Sequence, residues 1–108
     1  MTTNFDLNKA WSKTAASTSG AVTATHDGES NVTHVVTHVS GHSDADATIQ
    51  ILDGSSPLAE WKKDASVEGF QFLPQNGVWV GTPGNAVSAV ISATTSDSQV
   101  NIAGFSIP

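Results

Sequence analysis

Residues 46–54, read D-A-T-I-Q-I-L-D-G, constrain the fold of this chain more than any other segment. Ile49 and Ile51 lie on one side of an extended chain, and Thr48 and Gln50 lie on the other. This alternation has the period of a half-buried β-strand. The Asp-Gly pair at its end favours a tight turn, because glycine accepts a positive φ without a steric penalty. The segment is therefore predicted to be a central strand followed by a turn.

Further short alternating segments lie on both sides of this strand, with turn signals roughly 8–12 residues apart. They cover residues 21–25, 31–40, 58–63, 68–73, 78–80, 86–95 and 99–107. No long helix is available to connect parallel strands. We therefore expect an all-β fold, a single antiparallel β-sandwich or jelly roll of about eight strands. Its predicted core contains Ile49, Ile51, Phe70, Phe72, Val87, Ile91 and Ile102.

Three local signals add detail to this fold. The Asn-Gly pair at 76–77 is a strong hairpin signal. Residues 82–85, T-P-G-N, have proline and glycine where a type II turn needs them. In residues 99–107 the apolar side changes at Gly104, where we expect a β-bulge that re-aims the side chains.

Residues 31–40 are ambiguous, because their valines recur at helical spacing while Val, Thr and His favour strands. We predict a strand with valine on both faces. One face would join the core and the other would contact a second subunit.

The first 19 residues predict an N-terminal arm, with residues 20–108 as the β-sandwich domain. Phe5, Leu7 and Trp11 are spaced among polar residues, and a short helix over 7–15 is an alternative. The arm is either a frayed end with one docked aromatic residue or a segment that binds a neighbour. We expect the second, with Trp11 as the main anchor.

Composition restricts the partners. The 108 residues suit one domain, cysteine is absent, and the net charge is −6 with four lysines and no arginine. Nucleic acid and anionic membrane surfaces are therefore not expected as partners. The N-terminus lacks the pattern of a secretory signal, so we expect synthesis in a cytoplasm.

The four histidines, 26, 34, 38 and 42, are the one cluster with metal-ligand chemistry. On a strand, His34 and His38 would be about 13 Å apart, too far to share an ion. We expect no metal and no cofactor, and we assign His34 and His38 to partner contact. No catalytic motif appears, so an enzyme is not expected. Trp61 and Trp79 could stack on a sugar ring.

Residues 46–107 resemble small β-sandwich virion proteins of tailed bacteriophages. The resemblance is carried by D-A-T-I-Q-I-L-D-G, Trp61, G-F-Q-F at 69–72, G-T-P-G-N-A-V at 81–87 and V-N-I-A-G-F at 100–105. The first 45 residues match only loosely, and the His-rich strand lies outside the pattern.

This resemblance implies a structural virion protein, most commonly a head decoration (cement) protein that binds and stabilises the shell. Its partners would be the major capsid protein and further copies of itself, as a homotrimer. It would lie on the capsid surface after synthesis in the host cytoplasm. A glycan- or receptor-binding module of a tail or fibre is the alternative.

Overall fold

The computed structural model describes residues 10–18, 21–67, 69–74, 77–93 and 97–108. Two antiparallel sheets pack face to face, which confirms the predicted all-β sandwich. The described residues include no helix long and apolar enough to cross a membrane. The strands are β1 (Ala10–Ser17), β2 (Val22–His26), β3 (Thr33–Ser43), β4 (Ala47–Asp53), β5 (Ser56–Lys63), β6 (Gly69–Phe72), β7 (Trp79–Val80), β8 (Val87–Ala93) and β9 (Ser98–Ile107).

Sheet A has the order β1-β9-β3-β6, with β7 also paired to β3, and sheet B has the order β2-β8-β4-β5. Both β6 and β7 run antiparallel to β3 along the same edge, one after the other. They are two parts of one interrupted edge strand, so the predicted hairpin at Asn76-Gly77 is wrong. Gly77 does have the positive φ that its turn signal requires, at 103°. The chain nevertheless continues in its original direction after the loop.

The core lies between the two sheets and contains the predicted central strand. Ile49 and Ile51 of β4 have no exposed surface, and neither do Val87, Ile91 and Ile102. Phe70 and Phe72 are half-buried and pack against this core from its margin. Their position follows from β6 being an edge strand, which has a neighbour on one side only.

The predicted type II turn at residues 82–85 is confirmed. The Asn85 N–H donates to the Thr82 carbonyl oxygen at 3.0 Å, and Gly84 has φ +89°. Gly54, after β4, also has a positive φ, of 61°. These glycines are required by the backbone, since other residues are strained in that conformation.

Strand β1 occupies residues that the sequence assigned to the N-terminal arm. Ala10–Ser17 pairs with β9 along its whole length, so the alternative helix over 7–15 is wrong in its described part. The helical spacing was outweighed by the free edge of β9, whose backbone groups need partners. Phe5 and Leu7 lie outside the described residues. The division into an arm and a domain stays a prediction.

A β-bulge lies at the crossing of β3 and β9, but on β3. The register shifts between Val36 and His38, which pair with Gly104 and Ala103, so Thr37 is the extra residue. A Cβ on Gly104 would collide with the carbonyl oxygen of Val35. Glycine is therefore needed on β9 because the two backbones approach closely there.

Candidate interaction surfaces

The bulge at Thr37 places His34 and His38 on opposite faces of β3. On a regular strand, residues four apart share a face, and the extra residue reverses that relation. The same bulge brings Val36 and Val39 to the core at a spacing of three. The apparent helical periodicity of residues 31–40 was therefore produced by a bulged strand.

His34 is fully buried, and both of its ring nitrogens are bonded. Nε2 lies 2.8 Å from the Asp27 carbonyl oxygen, and Nδ1 lies 2.6 Å from Ser106 Oγ. A carbonyl oxygen only accepts, so Nε2 carries the proton, and in the neutral ring Nδ1 accepts from the serine hydroxyl. His34 therefore holds the fold together from inside and is not part of the surface of the single chain.

Trp11, His26 and His34 form an aromatic cluster that joins the two sheets at one margin. The Trp11 ring stacks on His26 with centroids 4.4 Å apart, and His26 lies 4.1 Å from His34. The Trp11 Nε1–H is buried without a hydrogen-bond partner. Desolvation by burial lowers the pKa of His26, and the nearby His34 and Lys13 lower that pKa further. Trp11, the predicted partner anchor, is thus half-buried against its own chain.

A second aromatic cluster, Trp61, Phe70, Phe72 and Trp79, closes the opposite margin. Trp61 of sheet B stacks on Phe72 of sheet A with centroids 4.0 Å apart and an interplanar angle of 2°. Trp61 meets Trp79 edge to face, at 5.5 Å and 71°. The two tryptophans therefore do not form one flat platform for a sugar ring.

The Asp53 carboxylate connects two of the segments that carry the family resemblance. It accepts hydrogen bonds from the Thr82 N–H at 3.0 Å, the Thr82 hydroxyl at 2.6 Å and the Asn85 side-chain amide at 3.1 Å. Desolvation raises the pKa of Asp53, but these bonds outweigh it and leave the pKa below its ordinary value. The D-G and G-T-P-G-N-A segments thus fix one another's shape.

The outer face of sheet A, which points away from sheet B, carries no Asp, Glu or Lys on its described strands. This face is assigned from the register and the buried side of each strand. It consists of Ala10, Ser12, Thr14 and Ala16 from β1, Gln99, Asn101, Ala103, Phe105 and Ile107 from β9, Thr33, Val35, His38, Ser40 and His42 from β3, Gln71 from β6 and Val80 from β7.

One end of this outer face is apolar. Val80, Val35 and Phe105 are neighbours across three strands, and Ile107 follows Phe105 on the same side. Val35 is almost fully buried, while Phe105, Ile107 and Val80 are 38%, 47% and 54% exposed. The side chains of β9 keep alternating past Gly104, because β9 has no bulge. Val100 and Ile102 therefore lie on the inner face, and Phe105 and Ile107 lie on the outer face.

The rest of the outer face carries hydroxyl, amide and imidazole side chains among alanines, and no Asp, Glu or Lys. The Thr14 hydroxyl donates to the Asn101 side-chain oxygen at 2.7 Å, and the Asn101 amide donates to Ser40 Oγ at 3.3 Å. The outer face of sheet B differs, since it carries Glu60 and Lys62. The outer face of sheet B therefore carries charged side chains, and the outer face of sheet A carries none of Asp, Glu or Lys.

Within the described ranges, no three His, Asp or Glu side chains come together as metal ligands. His34 is buried between the sheets and His26 is half-buried beside it, whereas His38 and His42 are on the outer face of sheet A.

No protein-family model matches the chain, and no curated protein sequence matches it. Function is therefore inferred from the surfaces above and from the resemblance in residues 46–107.

Proposed function

We propose that this protein is a structural component of a tailed-phage particle, a decoration protein that binds the head shell and stabilises it. The observation that carries this proposal is the uncharged outer face of sheet A with its exposed apolar end. Charged residues are depleted at the centres of protein interfaces, and exposed apolar patches mark contact surfaces. A charge-free face on an acidic domain has the character of a protein-binding surface.

The resemblance of residues 46–107 to phage virion proteins is the reason for proposing a phage particle as the place where this protein acts. A cement protein works by multivalency, because each copy touches several shell subunits and weak contacts add through effective concentration. A rigid sandwich suits this task. The hydrogen bonds of Asp53 fix the loop that connects β7 of sheet A to β8 of sheet B, and the aromatic clusters at both margins join the two sheets. The major capsid protein is the proposed partner.

The alternative function is a glycan- or receptor-binding module of a tail or fibre. The half-buried Trp61 and Trp79 at one margin favour it, because aromatic rings supply apolar contact area next to polar groups. Binding on a glycan array that is lost in Trp79→Ala would support this alternative.

Co-sedimentation of the purified protein with undecorated shells of the parent particle tests the proposal. We expect saturable binding and a higher temperature of shell disruption, since a ligand that binds only the intact state stabilises it. A protein that stays in the supernatant at all concentrations, and leaves the shell equally fragile, would contradict the proposed function.

A further inference from the structure

We propose that the outer face of sheet A is a self-association surface, on which a second copy of this chain packs face to face about a two-fold axis along the strands. This inference rests on the proposed function and gives this face to a second copy, so the dimer, and not this face of a single chain, is the unit that binds the shell. The contact makes a dimer, whereas the family resemblance implies a trimer.

Electrostatics allows a second copy on this face, although both copies are acidic. Each chain has a net charge of −6, so two copies repel one another through most of their surfaces. On the strands of the outer face there is no carboxylate to be buried against another, and the charged strand residues Glu60 and Lys62 lie on the opposite sheet. This is the face on which two acidic copies can meet without desolvating charge.

Hydrogen-bonding chemistry also favours a copy of the same face. Hydroxyl and amide side chains such as Ser40, Gln71 and Asn101 both donate and accept, so each can pair with any other side chain of the same kind on a second copy of this face. A carboxylate only accepts and a lysine only donates, and neither pairs with itself. A face made of the first kind is self-complementary, as an isologous interface requires.

The proposed axis places the same end of the outer face opposite itself in the second copy. A rotation of 180° about the strand direction returns each end of the face to the same end. The apolar end therefore meets the apolar end, with β9 opposite β3 and β7 opposite β1 of the second copy, and the polar end meets the polar end. With strands about 4.8 Å apart and about 3.4 Å per residue, the face measures roughly 600 Å². That approaches the roughly 800 Å² per partner of a standard stable interface.

Sedimentation equilibrium of the full chain, between about 5 and about 500 µM, tests this surface, because association depends on concentration. We expect twice the chain mass of 11.1 kDa at the upper end. Phe105→Asp should weaken association at least about tenfold, since it buries a charge in the contact. Thr23→Asp is the matched control, because it adds the same charge on an exposed position of β2 in sheet B. It should associate like the wild type.

Val80→Asp replaces Phe105→Asp if that variant fails to fold, because Val80 is the more exposed of the two side chains. It should weaken association in the same way. A monomeric wild type at the highest concentration would overturn the inference. So would equal association of the Phe105 and Thr23 variants.

Shell binding separates this inference from the proposed function. A wild type that dimerises through Phe105 but does not bind shells upholds the face and contradicts the decoration role. A monomer that binds shells only with Phe105 intact assigns the face to the capsid, which overturns the inference and leaves the function standing.

Discussion

At the scale of single residues, the core isoleucines carry the most direct stability prediction. Ile51 has no exposed surface and lies between the sheets. Ile51→Ala should lower the free energy of unfolding by about 2–5 kcal/mol, through lost apolar transfer and the cavity left behind. Denaturant melts measure this loss. A change below about 0.5 kcal/mol would place Ile51 outside the core and contradict the register of β4.

His26 makes stability depend on pH. Its pKa in the folded protein is lowered from 6.5 by desolvation and by the facing groups His34 and Lys13, against the opposing pull of Glu29 and Asp27. The unfolded chain therefore takes up the proton first as the pH falls. Stability from this group is fully present above about pH 6.5 and is lost as the pH drops below it.

Melting temperatures of His26→Asn and the wild type between about pH 7.5 and about pH 5 measure this dependence. The variant should lose less stability on acidification than the wild type. His42→Asn, at an exposed position on the outer face of sheet A, is the control and should behave like the wild type. Equal acid sensitivity in the His26 variant would contradict the assignment.

The positions of some single residues could be predicted from sequence patterns, and those of others could not. Alternation located Ile49, Ile51, Val87, Ile91 and Ile102 in the core, because burial on one face has a period of two. The opposite orientations of His34 and His38 could not be predicted. They depend on a bulge set by the pairing of β3 with β9, about 60 residues further along the chain.

At the scale of elements, β1 separates two truncations. Deleting residues 2–9 should leave the melting temperature nearly unchanged, because Trp11 and the pairing of β1 with β9 remain. Deleting residues 2–18 also removes β1, uncovers the edge of β9 and removes Trp11 from His26. It should destabilise the sandwich by several kcal/mol, in line with the loss of a large buried aromatic side chain.

Thermal melts of the two truncations, with shell binding as a second readout, test this distinction. If the shorter deletion weakens shell binding and leaves the melting temperature unchanged, residues 2–9 contain a partner contact. This is the result expected from the prediction that Phe5 and Leu7 contact a neighbour. Equal melting temperatures for both deletions would contradict the structural role of β1.

Elements with strong local signals were predictable, and elements defined by distant partners were not. The strand at 46–54 and the turn at 82–85 are determined by their own residues. In contrast, β6 and β7 form one interrupted edge only because both pair with β3. Of the Asn-Gly pair between them, Gly77 has the positive φ that its signal requires and Asn76 lies outside the described residues, but the signal did not predict the direction of the chain after it.

At the scale of the whole molecule, the outer face of sheet A shows why function was hard to infer from the sequence. Its apolar end combines Val35, Val80 and Phe105, which are far apart in the chain and adjacent only through the register. Composition gave the net charge of −6 but not its distribution over the two sheets. The phage role rests on the resemblance of residues 46–107 and stays a proposal.

Cryo-electron microscopy reconstructions of the proposed parent particle, with and without this protein, test whether it decorates the head shell. We expect additional density on the outside of the head shell, shaped as a two-sheet sandwich, with the outer face of sheet A covered by a protein neighbour. Identical shells in both reconstructions, with the difference confined to the tail or absent, would contradict this expectation.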